Sequence, residues 1–139
     1  MEYKKFKNQI LLRLDEGEEL IQSLKNLCSK EKINSAFISG IGAARKIEIA
    51  HYDTIDKKYY SKKFEEMLEI VSINGNISTL NDQHFIHLHG IFGKKDYSTI
   101  SGHLIYAEIS PTIELVILFS EGKMERKFNQ NTSLNLLSF

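Results

Sequence analysis

The sequence has little of what staples, breaks or charges a chain. Cys28 is its one cysteine, which excludes an internal disulfide and a cysteine-rich metal site and fits a reducing cytoplasm. Tryptophan is absent, and the one proline, Pro111, is read as the end of a strand. Neither sign of charge is in excess. Lys+Arg and Asp+Glu are 18 each, so no global field draws the chain to nucleic acid or to an anionic membrane. No apolar run approaches membrane-spanning length, and the opening MEYKKFKNQI lacks the apolar core of a signal peptide. A cytoplasmic protein with no membrane partner is the expectation. Linkers, internal repeats and low-complexity segments are also missing.

What is present is ordinary globular composition, 42% hydrophobic and 26% charged. A chain of 139 residues reads as a single domain over residues 1–139, able to bury roughly two thirds of its unfolded surface unaided. Ile10–Leu14 reads as a strand, and Asp15 with Glu18 resembles a capping box that opens a helix. Leu20, Ile21, Leu24, Leu27 and Cys28 then recur at helical spacing, the stripe of an amphipathic helix laid on a sheet. Cys28 on that stripe is a core residue rather than a reactive thiol.

Strand patterns fill the remainder. Gly40-Ile41-Gly42 is not followed by a helix, so it is no dinucleotide loop; the glycines are read as a tight turn between two strands. Lys46–Tyr52 and Tyr59–Phe64 form a hairpin across the polar turn Asp53–Lys58, with His51 a bystander. The paired lysines with nearby tyrosines are interrupted by acids and read as a solvated face. In the strands near Leu68–Ile77 and Thr112–Leu118, Glu69 and Glu114 each share a face with apolar neighbours. Such carboxylates need a partner, so both are candidates for a polar site near the metal discussed next or for a subunit contact; a strand end reached by water would also suit them. The count is one main helix and about eight strands, mostly antiparallel: an α+β domain.

The stretch Phe85–Leu104, FIHLHGIFGKKDYSTISGHL, carries the chemistry. Side chains alternate along a strand, so His87 and His89 share one face while Ile86, Leu88 and Phe92 take the other. The polar run Gly93–Tyr97 folds the stretch into a hairpin. If residue 89 lies opposite 103, His103 joins the pair; a slip of one residue sends it to the other face. Three neutral imidazoles can hold zinc with a fourth position open, and nitrogen-only ligation also suits nickel, copper or iron(II).

In order and spacing, LRLDEGEELIQSL, FISGIGAARKIEIAHYD, LEIVSINGNIS, FIHLHGIFG, SGHL, TIELVI and FNQNTSLNLLSF resemble the PPC domain, the plants-and-prokaryotes conserved domain. The resemblance implies an antiparallel α+β domain assembled as a homotrimer. It also implies that His87, His89 and His103 match histidines that bind a metal in bacterial members. Plant members carry an AT-hook and bind AT-rich DNA, and bacterial members are often labelled DNA-binding by that association. Here no Arg-Gly-Arg-Pro core occurs: the arginines are Arg13, Arg45 and Arg126, and Ser101 stands where the family usually has glycine. The expected function is a trimeric binding or regulatory module holding a divalent transition metal, zinc, and a small-molecule ligand, with any DNA role weak or indirect. The alternative is a metal-dependent enzyme acting through a metal-bound water, which requires a general base such as Glu69 or Glu114 within reach. A cupin would place a glutamate a few residues after its H-x-H, and Gly90–Lys94 offers none.

Overall fold

Two strands far longer than the usual five or six residues organise the computed structural model, which describes residues 1–139: β3, Ala36–Asp53, and β7, Thr99–Phe119. Around them lie β1 (Glu2–Lys5), β2 (Gln9–Asp15), α1 (Leu20–Glu31), β4 (Lys58–Phe64), β5 (Leu68–Leu80), β6 (Gln83–Gly93), β8 (Glu125–Asn129) and β9 (Leu134–Ser138). The sheet order is β1-β2-β7-β3-β5-β8-β9, with β4 on β3 and β6 bridging β5 and β7. Because β3 pairs with β5 through its first half and with the start of β7 through its second, the path β3–β5–β6–β7 returns to β3. Every pairing is antiparallel except that of β5 with β8, where Thr79 lies opposite Glu125. The α+β class with a single helix and a mostly antiparallel sheet is as the sequence implies.

The core gathers under α1, whose Leu20, Leu24, Leu27 and Cys28 are fully buried among the inward positions of the strands. Burying a leucine or isoleucine side chain is worth about 1.5–3 kcal/mol, so this stripe fixes the helix on the sheet. The helix begins differently from the capping box expected at Asp15. Glu18 does accept the Asp15 N–H at 2.8 Å, but Glu19 is the N-cap, accepting from Ile21 and Gln22. One oxygen of Glu19 also lies 3.3 Å from the Ala107 N–H, tying the cap to β7.

Two sequence expectations are corrected. Gly40 and Gly42 do not turn one strand into the next; they lie inside the continuous β3, where it presses on β7. A Cβ at Gly40 would stand 2.4 Å from the Glu114 carbonyl oxygen, and one at Gly42 would stand 2.4 Å from that of Thr112. The register against both neighbours shifts across these glycines, so they permit a bulge and close backbone approach. Nor does Pro111 end its strand. β7 runs through it at a register irregularity against β3, where the missing N–H costs no ladder bond.

Candidate metal centre

The β6–β7 hairpin is pinned by its loop. Lys94 N–H donates to the Ser98 carbonyl at 2.8 Å and Tyr97 N–H to the Lys94 carbonyl at 2.9 Å. The Asp96 carboxylate accepts from the Ser98 amide and hydroxyl. This closure sets His89 opposite His103 and Gly90 opposite Gly102, the register that brings the three imidazoles together. Leu88, Phe92 and Leu104 point into the core from the same strands, so a slip would expose them and bury the rings.

The ring centroids of His87, His89 and His103 are 5.2–5.4 Å apart. One nitrogen from each lies within 4.8 Å of the other two, so the group could hold a metal ion. The donor set fits one. His103 Nδ1 is buried with no hydrogen-bond partner, and an orphaned buried polar atom costs about 1–3 kcal/mol. Neutral imidazoles carry one N–H and one lone pair each and cannot all satisfy one another across the cluster, whereas a divalent ion accepts a lone pair from all three at once.

Three further elements wall the cluster. From β4, the Tyr59 ring lies against His103 at 5.0 Å, and Tyr52 of β3 meets Tyr59 edge-on at 4.9 Å. The Tyr52 hydroxyl donates to the Thr132 carbonyl in the β8–β9 turn. From β8 comes Arg126, only 8% exposed. Its guanidinium donates to Ser78 Oγ at 2.8 Å, the Asn135 carbonyl at 2.8 Å, Asn76 Oδ1 at 2.9 Å and His87 Nδ1 at 3.2 Å, and stacks on Phe85. All four acceptors are neutral, so this buried cation has no carboxylate partner. A cleft of about 300 Å³, lined by Ser72, Asn74, Ser101 and Gly102, opens beside His89.

Burial favours the neutral form of two of these rings, His87 and His103. It pushes His87 down to about 4, reinforced by the Arg126 charge and by the other two rings. His103 is lowered as well, by burial first and then by His89 and Arg126.

Glu69 and Glu114 are brought together, but not here. Glu69 is opposite Ala43 and Gly93, Glu114 is opposite Ile41 and Arg13, and both line a separate cavity of about 570 Å³ with Pro111 and Thr112. Along β5, five residues separate Glu69 from Asn74, the partner of His89, a span of about 16 Å at strand rise. His51 is exposed, and His84 bonds Asn34. Sequence reasoning missed Arg126 and Tyr59. The one available signal was that Arg126 is an arginine in a chain that otherwise favours lysine for its cations.

Several solved structures share this arrangement of strands. A candidate DNA-binding protein from Bacteroides thetaiotaomicron is 33% identical, with 99% of this chain and 96% of that one covered at a TM-score of 0.96. A metal-containing protein from Archaeoglobus fulgidus is 36% identical over 99% and 97% of the two chains, with a TM-score of 0.88. A plant- and prokaryote-conserved protein from Pyrococcus horikoshii is 29% identical over 99% and 94%, with a TM-score of 0.87. No curated protein matches the chain in sequence. The model of the plants and prokaryotes conserved (PCC) domain matches residues 1–120, and with the fold and the hairpin register in place the chain belongs to that family, the one called PPC above.

Proposed function

We propose that this protein is a metal-binding module of the PCC family, in which His87, His89 and His103 hold one divalent transition ion, zinc, and leave a coordination position open to a small ligand. The observation that carries the reading is the convergence of three ligand nitrogens within 4.8 Å on a hairpin whose register is fixed by the core. The metal-containing relative from Archaeoglobus fulgidus supports it. Bound there, a zinc ion would supply Lewis acidity at its open position. The chain's own part is to hold the three imidazoles in place and to cover His103 with the Tyr59 ring. Binding is favoured over catalysis because Glu69 and Glu114, the acids weighed as general bases, line another cavity.

A homotrimer is part of the proposal. It rests on the family and on the outer sheet face, where Leu11, Phe37, Ile41, Val71, Val116 and Leu118 are each at least 40% exposed. Any DNA role is indirect, since a neutral chain gains little from phosphate neutralisation.

The test is metal content after purification without an affinity tag, followed by zinc titration of the stripped protein. Wild type should take up one equivalent per chain. His89→Ala should lose most uptake, while His51→Ala and His84→Ala should retain it. Equal uptake by wild type and His89→Ala would overturn the reading.

A further inference from the structure

Arg126 sits within hydrogen-bond distance of one of the three histidines, and its chemistry there is constrained. A guanidinium only donates, so His87 Nδ1 must be the acceptor and carry the lone pair; neutral His87 then has its proton on Nε2. A neutral imidazole has one lone pair. If a metal takes Nδ1, the lone pair is no longer available to Arg126. If a metal takes Nε2, the proton moves to Nδ1, which then faces the guanidinium as a second donor. Either way, metal loading deprives one Arg126 Nη2 N–H of its acceptor.

That loss falls on a cation that is 8% exposed and has no carboxylate partner. Its other acceptors, Ser78, Asn76 and the Asn135 carbonyl, are neutral and already engaged. The loaded site would thus combine a divalent ion, a buried guanidinium and three neutral rings, with no negative charge among the groups that wall it. We propose that Arg126 is an anion subsite of the metal centre: metal loading frees its N–H, which then binds a small oxyanion, a carboxylate or phosphate group, beside His87. The proposal rests on the metal reading and goes beyond it by naming the ligand class.

Reciprocal linkage follows: an anion that prefers the loaded protein must tighten metal binding by the same factor. The test uses the full chain loaded with cobalt(II), whose visible spectrum reports the ligand at the open position, titrated with acetate and with neutral acetamide. Wild type should respond to acetate and not to acetamide, and Arg126→Gln should bind acetate roughly tenfold more weakly or worse, as expected for a lost charge-assisted hydrogen bond. Because the variant also removes bonds that hold the hairpin, a second measurement needs no variant: zinc affinity of wild type with acetate, against perchlorate at equal ionic strength, should be severalfold higher. Metal uptake with no acetate effect in either experiment, or an equal acetate response in Arg126→Gln, overturns the subsite while leaving the metal site standing. Failure to take up metal at all overturns both.

Discussion

At the scale of single residues, burial decides which groups can react. Cys28 is fully buried on the helix stripe, and desolvation of the thiolate pushes its pKa up to about 12. The folded chain holds this proton above the pH at which the unfolded thiol, near 8.5, releases it. The contribution is therefore lost as pH rises through the alkaline range. Iodoacetamide at pH 9 should leave Cys28 unmodified in the native protein and alkylate it fully in denaturant, read by mass spectrometry; rapid native alkylation would show that the helix does not stay docked. The identity of Cys28 as core was legible from its place in a 3.6-residue pattern. Arg126 was not, because its four acceptors lie 9 to 50 residues away in sequence and no local pattern encodes such a meeting.

At the scale of elements, the hairpin holds the site through backbone fit. Gly75 of β5 lies opposite Leu88, and a Cβ there would stand 1.8 Å from the His87 carbonyl oxygen. Backbone cannot rotate away as a side chain can, so Gly75→Ala must displace β6 and the ligands it carries. The expected cost is about 1–3 kcal/mol of stability, read by urea denaturation, together with weakened zinc uptake although no ligand has changed. Unaltered stability and uptake would mean that β5 and β6 slide freely. Alternation of His87 and His89 was readable directly, since strand period is local. The register that adds His103 was open in the sequence because it depends on loop closure at Ser98 and on where Leu88, Phe92 and Leu104 find the core. Gly40 and Gly42 misled for a related reason: a glycine that makes a turn and one that admits a neighbouring strand look alike until that neighbour is known.

For the whole molecule, the exposed outer face makes assembly the leading question. Light scattering after gel filtration should give about three times the 16.0 kDa chain mass, and Val116→Lys with Leu118→Lys should reduce it to one; a stable wild-type monomer would refute the trimer. Fluorescence anisotropy should find only weak binding to AT-rich duplex at physiological salt, in the range of non-specific association, roughly 10⁻⁴–10⁻⁶ M. The attachment of the C-terminal hairpin has a consequence of its own. β8 meets β5 at Thr79 opposite Glu125, with the Thr79 N–H donating to Met124; the Arg126 side chain adds links to β5 and β6, and the Tyr52 hydroxyl of β3 donates to the β8–β9 turn. By contrast, the paired part of β6 at His89 is flanked by β5 on one side and β7 on the other. In native-state amide hydrogen exchange, β8 and β9 should therefore exchange by local opening, well before the strands that bear the histidines. The imidazoles and the guanidinium meet through His87 yet belong to units expected to open separately, so that the slower unit keeps its geometry while the faster one comes and goes.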